Sequence, residues 1–250
     1  MTLRACPRRT GPFPVEGGIG LDAVMETFHM LFGADGELRQ IVATTLRMAF
    51  TSTAVSCTLG IPLGVWLGMT RFPGKRICLR VLHTLMGLPP VTAGLFVFFI
   101  LSRSGPLGRY KLLYSVTAMI CAQILLITPV AAGLSVSIVQ SRFPQMEETM
   151  CGMGIPKSKQ LLYVLYECRA PLFSVLFTAF GRAISEVGAA QLVGGNVQHK
   201  TRVMTTAIVL ETNMGHFQLA AALGVLLLLI AFVITSAAQF LQEKSYDHYY

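Results

Sequence analysis

The chain has 250 residues, of which 53% are hydrophobic and only 13% charged, and its mean hydropathy is +0.61. That balance excludes an ordinary soluble domain and fits a polytopic, all-α membrane protein. The net charge of +8 comes from basic residues scattered among short connecting segments. Such scatter matches loops facing anionic membrane lipid, and no nucleic-acid partner is expected.

In chain order, residues 1–20 carry Arg4, Arg8 and Arg9 among Pro7, Pro12, Pro14 and several glycines, with no apolar core behind the basic start. They read as a disordered tail rather than a signal peptide. Leu21–Phe32 is apolar-polar and too short to cross hydrocarbon, so it is expected at the membrane interface. Hydropathy then predicts five spans: Ile41–Met69, Ile77–Leu101, Ser115–Val139, Leu172–Val193 and Phe217–Leu241. Each reaches the roughly 20 residues that a spanning helix needs. One transmembrane unit over 21–242 and a short tail over 243–250 follow.

Several spans carry helix breakers. Pro62 sits between Gly60 and Gly64, Gly87-Leu88-Pro89-Pro90 falls in span two, and Thr128-Pro129 in span three. Each proline removes a helical hydrogen bond, so a bundle bent around a cavity is expected.

Orientation follows from the basic residues near the span ends. Arg71, Lys75, Arg76, Arg80, Arg142, Lys157, Lys159, Arg169 and Lys244 lie on one side; Arg39, Arg103, Arg109, Lys111, Lys200 and Arg202 lie on the other. The larger set belongs inside. The expected topology has the N-terminus outside and the C-terminus in the cytoplasm.

The cysteines Cys6, Cys57, Cys78, Cys121, Cys151 and Cys168 form no C-x-x-C and have no histidine at metal spacing. Neither a metal site, a disulfide framework nor a cofactor is expected. The inner loop from Gln140 to Ala170 reads as two short helices, Pro144–Gly152 and Pro156–Arg169, joined at Gly154-Ile155. Gly154 suits the left-handed end of the first helix and Pro156 the first position of the second. Met146, Met150 and Met153 share one side of the first helix. They are either a knob for a partner's groove or packing against the chain's own spans.

Span four contains Gly181-Arg182-Ala183-Ile184-Ser185-Glu186-Val187-Gly188-Ala189-Ala190. On a continuous helix Arg182 and Glu186 share a face and pair. A charge in hydrocarbon costs at least a few kcal/mol, so the two mark either an ionic pathway or a structural pair. Gly181, Ser185 and Ala189 form a small-residue strip for close helix approach, within the chain or against a second copy. Just beyond lies Gly194-Gly195-Asn196-Val197-Gln198-His199-Lys200-Thr201, one residue away from a phosphate-binding loop. His199 stands where that loop needs glycine, and a spanning helix precedes it rather than a strand. No nucleotide site is expected in this chain.

Glu148-Thr149-Met150-x-x-x-Gly154, followed by Ile155, resembles the E-A-A-x-x-x-G loop of bacterial ABC importer permeases. Thr149 and Met150 replace its alanines, and Pro171 follows Gly154 by 17 residues rather than 13. Gly181–Ala189, then Val193-Gly194-Gly195-Asn196, Thr201-Arg202-Val203-Met204-Thr205-Thr206-Ala207-Ile208 and Glu211-Thr212-x-x-Gly215 are similar to the tungstate-type branch of the oxyanion permeases. The resemblance extends more weakly over Leu21–Leu241. It implies a five-span permease bundle with a cytoplasmic coupling helix, working as a homodimer in the bacterial inner membrane. Its implied partners are ATP-binding cassette ATPase subunits, an extracytoplasmic oxyanion-binding protein and a second permease copy. The implied cargo is tungstate, with molybdate or sulfate as alternatives.

Under that resemblance Glu148, Thr149, Met150, Gly154 and Ile155 belong to the ATPase-coupling loop. Arg182, Glu186, Asn196, Thr201, Thr205, Thr206 and Glu211 are pore or gate candidates. Asn196 and the three threonines are expected to offer neutral donors to a passing dianion, with Lys200 and Arg202 attracting it. An external polar loop is the alternative. A tight anion site would not place a carboxylate one turn from its only cation, so Arg182 with Glu186 reads as a state-stabilising pair. No catalytic residue is expected. A secondary transporter would need internal repeats, which are absent. An intramembrane enzyme would have only Ser185 beside Glu186 to work with.

Overall fold

The computed structural model describes residues 36–247. The tail expected over 1–20, the interfacial helix expected over Leu21–Phe32, and Cys6 fall within residues 1–35, which with 248–250 lie outside the described residues. Among the described residues the chain is all helix, without a strand. In order these are α1 (Gly36–Met69), α2 (Lys75–Met86), α3 (Pro90–Leu101), a 3-10 turn (Gly108–Tyr110), α4 (Val116–Gly152), α5 (Lys157–Glu167), α6 (Arg169–Ser185), α7 (Gly188–Gly194), α8 (Met204–Asn213) and α9 (Phe217–Asp247). Three of them, α1, α4 and α9, are each long and apolar enough to cross a membrane. The pairs α2–α3 and α5–α6 bend by 97° and 75°, and counting each as one span gives five.

A glycine ladder joins α1 to α4. A Cβ at Gly60 would lie 2.8 Å from the Thr128 carbonyl oxygen, one at Gly64 would collide with the Ala132 carbonyl, and one at Gly68 would lie 2.8 Å from Val139 Cβ. Glycines four apart let the two backbones touch, the means by which helices associate where no hydrophobic drive separates protein from lipid. The ladder climbs both helices in the same sense, so α1 and α4 run parallel. The chain between them, through α2 and α3, makes the return crossing. Within the chain, the strip expected at Gly181, Ser185 and Ala189 does not act as a continuous packing seam. Nothing lies within 4 Å of a Cβ at Gly181, Ser185 is exposed, and only Ala189 packs closely, against Gly94 of α3.

The prolines act unequally. Pro62 lies inside α1, and Pro129 and Pro144 lie inside α4, all without ending their helices. A single missing N–H costs one bond, and the ladder holds the flanks of Pro62 and Pro129. Gly87-Leu88-Pro89-Pro90 does end a helix, because two successive prolines force the preceding residue extended; Pro89 has φ −61° and ψ 131°. The expected separate helix Pro144–Gly152 is therefore the end of α4. Gln140, whose carbonyl loses its helical donor to Pro144, is exposed, so that carbonyl is open to solvent rather than stranded in the core.

Beyond Val139, α4 continues for thirteen residues, about 20 Å at the helical rise. It thus extends well past the level of Gly68, near the end of α1. Leu126, Ile127, Val139, Met150, Val175 and Phe180 belong to the core that ties α4 and α6 to α1. The outward side of α9 (Leu228, Phe232, Val233) stays exposed.

Candidate functional site

Three places bear on function: the far end of α4, the break after α6, and the turn that follows α7. The end of α4 closes with a full Schellman motif. Gly154 adopts φ +63°. Its N–H donates to the Cys151 carbonyl at 3.2 Å, and the Ile155 N–H donates to the Met150 carbonyl at 3.0 Å. Ile155 packs into the core cluster that contains Met150, the apolar contact that accompanies this cap. Pro156 stands at the cap of α5 rather than inside its first turn.

Of the two readings of the methionine face, packing against the chain's own spans holds for Met146 and Met150. Met146 and Met150 are buried, since the i, i+4 pair faces the chain's own core, and only Met153 is exposed. What projects is the turn itself: Glu148, Thr149, Cys151, Gly152, Met153 and Gly154. Glu147 reaches back to Arg71 at 3.0 Å and links the α1–α2 connection to this end of α4.

Span four is not one helix, and here the expected Arg182–Glu186 pair fails. α6 ends at Ser185, and Glu186 is extended, with φ −72° and ψ 123°. No ion pair joins the two side chains among the described residues. The i, i+4 geometry needs an unbroken helix, and the break turns Glu186 away. Its Oε1 accepts the Ala189 N–H at 3.1 Å and so caps the start of α7. The Glu186 carbonyl accepts from Thr205 Oγ1 at 3.2 Å.

Among the described residues the buried Nε of Arg182 has no hydrogen-bond partner, while the residue as a whole is part-exposed. Beside it, Ser174, Thr178 and Ser185 are exposed along the same side of α6. Their hydroxyls donate to the carbonyls of Pro171, Ser174 and Arg182. A neighbouring cleft of about 160 Å³ between α1, α6 and α9 is lined by Phe50, Phe177, Phe180, Thr53 and others. It holds no charged side chain and does not suit an anion.

The turn after α7 uses the side chains that were expected to be free donors. Thr201 Oγ1 donates to the Gly194 carbonyl at 2.6 Å and accepts the Val197 N–H at 2.9 Å. Thr206 Oγ1 accepts the Val203 N–H at 3.1 Å and lies 3.0 Å from Asn196 Oδ1. Thr201, Thr205 and Thr206 are all buried. Gly195, Asn196 and His199 are left-handed, and in this tight turn Thr201 serves the Val197 N–H while Thr206 serves the Val203 N–H at the start of α8, so these hydroxyls are engaged with the chain's own backbone. The segment follows a helix and folds on itself, so it forms no phosphate cradle.

Arg202 is likewise engaged, bonding Glu37 Oε1 at 3.1 Å, and Gln198 bonds the same oxygen at 2.9 Å. Lys200 is exposed. Glu211 pairs with His216 at 2.8 Å across the α8–α9 turn and belongs to neither the break nor the α7 turn.

Sequence reasoning missed Gln123, fully buried in α4 and bonded to both α1 and α6. A lone amide in the apolar run Ala122-Gln123-Ile124-Leu125-Leu126 was its signal. It also missed Arg47, an exposed charge within α1.

Comparison with known proteins fits this architecture. Residues 60–247 match the family described as "Binding-protein-dependent transport system inner membrane component". The chain is 40% identical over 225 residues to the "Tungstate uptake system permease protein TupB" of Peptoclostridium acidaminophilum, covering 90% of this chain and 97% of that protein. It is 35% identical over 213 residues to TupB of Campylobacter jejuni, covering 85% and 89%. A crystal structure of a bacterial ABC transporter involved in import of the acidic polysaccharide alginate shares the fold. It has a TM-score of 0.69 at 17% identity and covers 92% of this chain and 85% of that one. These relatives are transport components rather than enzymes. The chain belongs to the family of inner-membrane permease components of binding-protein-dependent ABC importers.

Proposed function

We propose that this chain is the permease subunit of an ATP-driven tungstate importer. The observation that carries the reading is the 40% identity to a tungstate permease over nearly the whole of both chains. In this reading two copies enclose the pathway, two ATPase subunits sit at the cytoplasmic end, and an external binding protein delivers the anion. The N-terminus lies outside. The excess of basic residues near Arg71, Arg142 and Lys157 supports that orientation, because these residues share the end of the molecule where α4 projects.

The projecting turn at Met153-Gly154 is the element that seats in the ATPase. Its exposure, and its position about 20 Å past the ladder's end, support this role. Closure of the ATPases on ATP moves the turn and shifts the bundle between two packings. Substrate and nucleotide each bias the packing they bind better.

Arg182 is the cation that meets the anion inside the membrane. Among the described residues it has no carboxylate partner, it lies on the hydroxyl-bearing side of α6, and the Glu186 charge is directed to the α7 cap. One unpaired guanidinium among neutral hydroxyls attracts a dianion without trapping it. Asn196, Thr201, Thr205 and Thr206 shape the outer rim instead of contacting the anion. Glu211 stands apart from the path and steadies the α8–α9 turn.

The test is ATP-dependent uptake of radiolabelled tungstate into vesicles holding the permease with its ATPase and binding protein, with molybdate and sulfate as competitors. Uptake that resists excess sulfate is expected. Uptake abolished by equimolar sulfate, or uptake without ATP, would refute the assignment.

A further inference from the structure

A helix that stops inside a membrane leaves its last carbonyls without donors, and each must find a partner in protein. α6 stops at Ser185, so the Ala183 carbonyl loses the N–H that a continuous helix would supply. Gln123 of α4 takes over: its Nε2 donates to the Ala183 oxygen at 2.8 Å. The other end of the same amide is also held, because Oε1 accepts from Ser52 Oγ of α1 at 2.6 Å. Gln123 and Ser52 are both fully buried, and Ser52 Oγ lies 2.8 Å from the Met48 carbonyl. A single side chain thus binds three membrane helices together one residue from Arg182.

Burial alone does not require this arrangement. Leucine or methionine fills the volume of glutamine, and the apolar neighbours on α4 would accept either. Only a donor such as the amide satisfies the Ala183 carbonyl, and by doing so from α4 it holds the α6 terminus at a fixed place. We infer that Gln123 is a positioning residue for transport. It fixes the broken end of α6 to α4, so that Arg182 is presented to the anion and movement of α4 is passed to the break. The inference rests on the proposed reading that α6 borders the pathway.

The test uses the complete transporter in vesicles, with Gln123→Leu, Gln123→Met and Ser52→Ala compared per assembled complex. Stranding a buried carbonyl is expected to lower the maximal tungstate uptake rate roughly tenfold or more in both Gln123 variants. Ser52→Ala leaves the Ala183 bond in place and is expected to lower the rate about threefold. The half-saturating concentration of loaded binding protein stays unchanged and ATP hydrolysis persists, a split that a general loss of folding does not produce. A wild-type rate per complex in Gln123→Leu would overturn the inference. Should neither Gln123 variant assemble, Ser52→Ala decides, and an unchanged rate there overturns it.

A second arm separates this inference from the reading beneath it. Ser185→Cys, in a chain whose native cysteines are alanine, is labelled with a membrane-impermeant charged thiol reagent, with and without ATP plus vanadate. Labelling that changes with nucleotide, and loses that change in Gln123→Leu, supports both. Labelling insensitive to nucleotide overturns the pathway reading and the inference with it. Labelling that changes equally in Gln123→Leu overturns the positioning role alone.

Discussion

Replacing Gly154 tests the coupling turn in isolation from packing. Its φ of +63° is one that an L-residue adopts at a cost of about 1–2 kcal/mol. Among the described residues nothing lies within 4 Å of a Cβ placed there, so alanine meets no steric penalty from them and the cost is backbone strain. Asparagine tolerates this region and is expected to cost less. Valine, branched at Cβ, disfavours it further and endangers the two cap bonds to Cys151 and Met150, each worth about 1 kcal/mol. The series predicts coupled uptake in the order Gly, Asn, Ala, Val, with the valine variant losing about 2–4 kcal/mol of preference for the native turn. The assay is tungstate uptake and ATP hydrolysis measured together in reconstituted vesicles. In the valine variant uptake falls while hydrolysis continues and the amount of complex is unchanged. Full uptake per ATP hydrolysed in Gly154→Val would refute the coupling assignment.

Other substitutions separate the roles argued above. Gly64→Ala forces a methyl group into the Ala132 carbonyl and is expected to abolish accumulation of the protein, whereas Gly181→Ala meets open space and leaves it unchanged; membrane-fraction immunoblots decide. Glu186→Ala removes the cap of α7 at a cost of about 0.5–2 kcal/mol, while Glu186→Gln keeps an acceptor oxygen and retains most stability, which thermal melts in detergent read out. Exchange of Arg71 for Ala breaks an exposed pair with Glu147 and is expected to change the melting temperature little, since such pairs contribute about 0–1 kcal/mol.

The long apolar helices were legible because hydropathy over some twenty residues is a cumulative signal that no single neighbour reverses. The Gly154 turn was legible too, since a left-handed cap after a helix names its residue. The break at Glu186 was not. Nothing in Arg182-Ala183-Ile184-Ser185-Glu186 forbids a helix, and the interruption depends on donors from Gln123 and Thr205, far away in the chain. The fate of the threonines was hidden for a related reason. A hydroxyl's chemistry is visible in sequence, but whether the backbone beside it needs a partner is a matter of local φ and ψ. Met146 and Met150 pointed inward because the helix that bears them continues span three, a continuity that Pro144 concealed.

From Gln123 to Gly152, α4 is one uninterrupted helix of about 44 Å, and neither Pro129 nor Pro144 divides it. One end carries the turn proposed to meet the ATPase, and the other grips the interrupted span beside Arg182. A stiff connecting rod needs no relay of intermediate contacts. Under the proposed coupling, displacement at the turn reaches the Gln123 end in the same stroke, and α1, interlocked with α4 at Gly60, Gly64 and Gly68, travels with it.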